Sequence, residues 1–397
     1  MSKLILQPPV PRLDSEYQPG VTDPIWPAEA PAGADPTVYR DQYAGQLDRQ
    51  RHLHIITADV SVRSRPELAE LLKRLTSFAK HQMAKLPVYD GIRKYDERAE
   101  SRRVTVTIGF GATLFTTADG DDRFGLAGRK PTWLKVIPNT EGDAPTFVPR
   151  DHATDLVVLA ASDDFYVNEY IFGRLYYGSV HAGIKVRRVE RGYARPDNRE
   201  PSGFEDGLTN PRDTPHDYPM HHFVYIHEGD DEPEWCVNGT YLAYRKVGRQ
   251  LTRFFSLNDA DREAVFGAKR KTGKRLRHAS PSAHSPKMNP RRPNADLFGV
   301  KDESRRFLRR PYFFTDGLDA TGDEVRGLHH LSFVRNLGYQ YEWPVHMWQM
   351  NRDFPRPNTG LDTLYEMGGA ANVGGGYFFV PAAAAADDDY VGSALLV

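Results

Sequence analysis

Apolar residues change period along this chain in an order that few folds accommodate. Residues 53–60 (LHIITADV) are rich enough in β-branched side chains for a strand. Pro66 then opens a helix in which Leu68, Leu71, Leu72, Leu75 and Phe78 recur at three- and four-residue steps. A second strand is expected at 104–109 and, after a loop-rich insert to about residue 150, a third at 155–160 (DLVVLA), apolar enough to be buried on both faces. Residues 163–177 read as a helix and 184–189 as a closing strand. Strand, helix, strand, strand, helix, strand is the split βαβ order of a ferredoxin-like unit, an antiparallel sheet with helices on one face.

A second round follows. Strands are expected at 222–226, 235–247, 331–334 and 376–380, with helices at 259–266 and 345–352 and a basic, Pro-rich excursion at 269–310. The fold class is therefore read as α+β, two ferredoxin-like halves of the dimeric α+β barrel type with antiparallel sheets. The halves are placed at 49–200 and 201–397, behind an extended arm at 1–48 lying on the surface. Two halves facing each other leave a cleft between a sheet and a helical layer, a usual place for a ligand.

Composition removes several alternatives. At 397 residues the chain exceeds what a single core serves. A net charge of −1 gives no electrostatic case for nucleic acid or anionic membrane as partner. Cys236 is the sole cysteine, which excludes an internal disulfide and a Cys-rich metal site. No apolar run approaches the roughly twenty residues of a membrane-spanning helix. The opening MSKLILQPP is too short for a signal sequence and carries no twin-arginine pair, so a cytoplasmic chain is expected.

Three segments carry chemistry. GFEDGLTNP (203–211) fixes Asp206 between glycines ahead of an Asn-Pro turn, with no helical or strand period of its own. Taken alone, an Asp-Gly there reads as a surface turn. AHSPKMNPR (283–291) sets His284 just before an Asn-Pro turn and an arginine pair, and residues 305–310 (RRFLRR) hold four arginines in six positions. Taken alone, these read as a solvated basic face. Together they suit haem, whose iron is held by a single neutral imidazole. Its propionates need cations or backbone N–H groups, which Arg291 and the Gly207-Leu208-Thr209 turn supply. A peroxidase also needs a group that moves a proton between the peroxide oxygens and a cation for the charge released as they part; an Asp beside an Arg does both.

On these segments the chain resembles the dye-decolorizing (DyP-type) peroxidases, closest to the deferrochelatase/peroxidase branch of bacteria. WCVNGTYLAYRKV (235–247), GGGYFFVP (374–381) and DDDYVGSALLV (387–397) extend the likeness over most of residues 50–397. The resemblance implies antiparallel sheets enclosing a haem pocket, haem b as cofactor, and hydrogen peroxide with phenolic or dye donors as partners. It implies one-electron oxidation of those donors through an oxyferryl intermediate. The alternative activity is that of a deferrochelatase or haem carrier that releases or delivers iron without turnover. By position it assigns Asp206 as distal acid–base and Arg309 as distal arginine, with Arg310 its rival. His284 becomes the iron ligand, and Gly207, Leu208, Thr209, Asn289, Pro290 and Arg291 line the haem edge. Behind the imidazole the family sets an acid, for which Glu366 is chosen and Asp362 is the alternative. A homo-oligomer is compatible with the family, and nucleic acid and membrane are not expected partners.

The likeness also has departures. The family's Gly-Leu-Leu-Phe strand reads His330-Leu331-Ser332-Phe333 here, which brings a polar Ser332 near the distal pocket. The arm before residue 50 does not follow the family pattern. Bulky donors call for surface aromatics as electron relays; among twenty Tyr and five Trp the candidates are Tyr312, Trp343 and Trp348.

Overall fold

Strands β1 (His52–Val60), β2 (Thr105–Gly111), β3 (Leu156–Ser162) and β4 (Ile184–Tyr193) build the first half of the molecule, a computed structural model. It describes residues 9, 11–84, 103–178, 182–195, 197–207, 209–214, 219–290, 299–367, 369–384 and 389–397. Their lateral order is β2-β3-β1-β4, all antiparallel, as a ferredoxin-like unit requires. Every residue of β3 is buried, because its two faces serve two cores. Leu156, Val158 and Ala160 pack with Leu68, Leu71, Leu72 and Leu75 of the Arg65–Ala84 helix. Val157, Leu159 and Ala161 point the other way, toward Leu331, Phe333 and Phe378 of the second half.

The second half repeats the plan with β5 (Thr240–Arg249), β6 (Leu308–Arg309), β7 (Tyr312–Leu318), β8 (Glu324–Val334) and β9 (Ala370–Val380). Its order is β7-β8-β5-β9, with β6 also on β8. The last strand of each half pairs with the second long strand of the other: β9 with β2, and β4 with β7. The sheets thereby close into an eight-stranded barrel whose interior is filled by side chains. Both seams are short. Phe110–Phe379 and Gly111–Phe378 are the only register pairs of one seam, Tyr193–Phe313 of the other, among the described residues.

Several expectations need correction. The segment before residue 48 is neither wholly extended nor confined to the surface. It holds a helix, Pro36–Gln42, and buries Gln18, Val21, Thr22 and Asp23. Gln18 Nε2 donates to the carbonyls of Ile108 on β2 and Pro381 after β9, at 2.9 Å each, so the arm stitches the seam. Residues 222–226 are not a strand: the helix Pro219–Val224 stands there and drives Met220 and Val224 into the barrel core. Pro219 pre-sets a first helical turn, which the apolar run after it had masked. Residues 235–247 begin as a single turn, Glu234–Cys236, before β5. The expected helix at 345–352 is instead a pair of wide π-helical turns, Leu337–Glu342 and Pro344–Gln349. Strand β7 was missed, because only Tyr312, Phe313 and Phe314 are buried and its remaining residues are exposed. Among the described residues no helix is long and apolar enough to cross a membrane.

Candidate active site

His284 opens a one-turn helix, His284–Met288, whose seat is built by a buried lysine. Lys287 Nζ donates to the carbonyls of Asn351, Phe354 and Gly360 at 2.8, 2.9 and 2.6 Å. The chain that supplies those carbonyls continues into Asp362, a fully buried carboxylate that accepts from His284 Nδ1 at 2.7 Å. Its other oxygen accepts from Leu364 N at 3.0 Å and caps the Thr363–Glu366 helix. A carboxylate on Nδ1 fixes the tautomer that leaves the Nε2 lone pair free, and it makes the imidazole a stronger donor. Phe266 sets its ring edgewise to the imidazole at 5.8 Å.

Glu366 therefore does not stand behind His284. It lies four residues later, near the end of the turn, half exposed, with its carboxylate 3.6 Å from Arg352. The cap position turns Asp362 inward, and the helix it starts carries Glu366 away.

Asp206 and Arg309 meet. Asp206 Oδ1 lies 3.0 Å from Arg309 Nη1 and accepts from the Gly207 backbone N–H at 2.6 Å. Gly207 holds a left-handed backbone, φ 81°, which turns its N–H back onto the carboxylate. Asn210 grips Arg309 from both sides, donating to its carbonyl at 2.8 Å and accepting from its N–H at 3.0 Å. Thr209 Oγ1 accepts from Arg309 Nη2 at 3.2 Å. The choice between Arg309 and Arg310 follows from strand alternation, since neighbours point to opposite faces. Arg309 is paired in register with Ser332 of β8. Arg310 is buried on the other side, where it donates to the carbonyls of Val21 and Asp23 and to Gln50, and so holds the arm.

Burial alone would raise the pKa of Asp206. Arg309, a protonated His330, Arg49 and the Gly207 N–H outweigh it, and the carboxyl titrates below its ordinary value. Two groups tie this cluster to His284. His330 on β8 feels the charges of Asp206, Arg309, His284 and Arg249, and buried Glu200 feels Arg249, Asp206 and His284. Glu200 takes one Arg249 nitrogen at 2.7 Å, while Arg249 Nε and Nη1 stay buried without partners. His330, Glu200 and Arg249 were missed by sequence reasoning. His330 alone had a signal, as a departure from the family strand.

The remaining predicted residues divide. Asn289 ends the His284 helix, its N–H bonded to Ser285 O at 3.0 Å and its carbonyl to Arg275, with Pro290 next. Leu208 and Arg291 lie outside the described residues. Of the relay candidates, Tyr312 and Trp348 are buried, and half-buried Trp343 lies under Arg305, 4.2 Å from ring centre to guanidinium.

Comparison with known proteins decides the family. The models named Dyp-type peroxidase, N-terminal and Dyp-type peroxidase, C-terminal match residues 46–194 and 197–385. The chain belongs to the Dyp-type peroxidase family. Among its relatives, a deferrochelatase of Yersinia pseudotuberculosis is 25% identical over 346 residues, 76% of this chain and 74% of that one. With the Shigella flexneri deferrochelatase the likeness, 25% over 261 residues, takes in 59% of this chain and only 58% of the relative's length. Solved Dyp-type folds superpose over nearly the whole molecule. Ferric DtpA from Streptomyces lividans matches with a TM-score of 0.71 at 24% identity, covering 97% of this chain and 96% of that one. A DyP-type peroxidase from Streptomyces coelicolor matches with 0.72 at 23%, covering 98% of each. The encapsulated DyP-type peroxidase from Mycobacterium smegmatis matches with 0.63 at 18%, covering 87% of this chain and 97% of that one. At these identities the structures speak for the fold.

Proposed function

We propose that this chain is a haem b-dependent peroxidase that reduces hydrogen peroxide and draws electrons singly from phenolic or dye donors too bulky to enter the site. The observation that carries the reading is the Asp206–Arg309 pair, tied electrostatically to an imidazole that a buried carboxylate orients. The donor set fits haem. His284 Nε2 has no protein partner among the described residues and would hold the iron. Arg249 Nε and Nη1, buried and without partners among the described residues, offer N–H groups to propionates, Arg291 would add its guanidinium by position, and Gly207, Leu208, Thr209, Asn289 and Pro290 would line the haem edge. What a bound haem supplies is the redox step, electrons for the O–O bond and a store of oxidising equivalents for the donors.

The protein's own work is proton and charge handling. Asp206, ionised because nearby cations outweigh its burial, would accept the proton of one peroxide oxygen. It would return that proton to the other oxygen, which departs as water. Arg309 directs N–H groups at the charge that gathers on the departing oxygen. Asp362, through Nδ1, keeps the His284 imidazole basic and fixed in orientation.

The test is spectroscopic. Haem added to the purified chain should give a Soret band that His284→Ala abolishes or shifts; a chain that takes up no haem refutes the reading. The relatives named deferrochelatase support a second reading, haem binding without peroxidase turnover. Under it, Asp206→Asn and Arg309→Leu would change haem retention and leave no peroxide-dependent rate to lose.

A further inference from the structure

One face of β8 presents two polar side chains, His330 and Ser332, whose positions follow from register. Arg309 stands directly across from Ser332, and directly paired residues share a face, so His330 sits one diagonal step from the arginine that binds Asp206. Ser332 Oγ and His330 Nδ1 are 3.2 Å apart, a contact that sets the ring's orientation. The other ring nitrogen has no protein partner among the described residues. Across from His330 on β5 stands Arg245, but its guanidinium is taken by Asp143 and the Pro138 carbonyl. The groups whose charge acts on the imidazole include Asp206, Arg309, His284 and Arg249.

We propose that His330, oriented by Ser332, is a positioning residue for proton transfer at Asp206: when protonated it sets a cation beside the carboxylate and so keeps Asp206 ionised in acid. This rests on the peroxidase reading of the same pocket and names what regulates it.

The physical chain is short. Burial holds His330 neutral down to a pKa of about 4, with Asp206 pulling upward and Arg309, His284 and Arg249 pushing down. Asp206 in turn is held below its ordinary value, in part by His330. As pH falls through that value the imidazole takes up a proton. The new cation beside Asp206 resists protonation of the carboxylate, which remains able to accept a proton from peroxide. The only bond made at His330 is the N–H of the proton it takes from solvent, and it breaks when that proton is given back. One proton is stored there, and the store is coupled to the group that uses it.

Two measurements test this, and only one depends on haem. In the full chain with isotope-labelled histidine, the His330 titration, assigned by its loss in His330→Gln, should move to lower pH in Asp206→Asn. An unmoved titration overturns the proposal, whatever the fate of the peroxidase reading. In haem-loaded protein, the rate at which cyanide binds ferric iron should be followed against pH, since HCN must shed its proton to a base in the pocket. The acid limb should move to higher pH by about one unit in both His330→Gln and His330→Leu. Ser332→Ala, which frees the ring, should move it part of the way. If His330→Gln keeps the wild-type acid limb, the side chain acts by hydrogen bonding alone and the proposal fails. It fails equally if the wild-type ferric spectrum is that of a low-spin bis-imidazole complex that turns high-spin in His330→Gln, because His330 would then be a ligand.

Discussion

Asp362 and Glu366 are four residues apart, yet only Asp362 reaches His284, and the difference is readable as chemistry. Asp362→Asn keeps the cap on Leu364 N–H but replaces a charged acceptor with a neutral one. Haem affinity, titrated by absorbance, should fall about 10- to 100-fold, the usual effect of losing a carboxylate behind a ligating imidazole. Glu366→Gln should leave it within about two-fold, because an exposed group 3.6 Å from Arg352 has no line to the ligand. The Asp206–Arg309 pair makes the pH prediction. A carboxyl whose folded pKa is depressed gives stability that is present above its unfolded value, about pH 4, and is lost as pH falls through the folded value. Arg309→Leu removes the strongest opponent of burial, so the pKa of Asp206 rises. The acid limb of the peroxide reaction, measured as rate against pH, should then move to higher pH by about one unit or more. An acid limb unchanged in Arg309→Leu would mean that another group titrates there.

At the scale of elements, the His284 helix shows how a turn of five residues is held in place. A helix of one turn is not stable on its own. This one is anchored by Lys287, whose ammonium satisfies three carbonyls of the chain that leads to Asp362. Lys287→Met fills a similar volume and strands those acceptors. Unfolding free energy from denaturant titration should drop by about 3 kcal/mol, with haem retention falling alongside. A loss under about 1 kcal/mol would show that water replaces the ammonium. Nothing in the sequence announced this lysine, which reads as one more cation in a basic stretch. The same limit hid the second-half strand β7, whose burial stops after Phe314, and lent 222–226 the look of a strand when its residues form a helix packed on the barrel. Strand β3 was legible because both of its faces are buried and every position is apolar or small. Asp206, Arg309 and His284 were singled out by the likeness of their segments to one family; taken alone, those segments read as a turn and a solvated basic face. Glu200 and Arg249 were not, since a buried ion pair looks in sequence like two surface charges.

For the whole molecule, barrel closure is what brings these pieces into one place. The two halves exchange their last strands across short seams, and Gln18 bonds to both sides of one of them. β6 pairs alongside β8, so Arg309, Ser332 and His330 share one face of the sheet, and Arg309 meets Asp206 there. The segment before residue 48, read from sequence as an accessory, is part of that closure through Gln18 and through its contacts to Arg310. The central claim is that one carboxylate and one guanidinium on this face carry out proton and charge transfer for a haem held by His284. Stopped-flow absorbance of the haem-loaded chain mixed with peroxide tests it most directly. Asp206→Asn and Arg309→Leu should retain the ferric spectrum and slow its peroxide-dependent change by about 10²- to 10⁴-fold. Variants that hold haem and react at the wild-type rate would contradict the account.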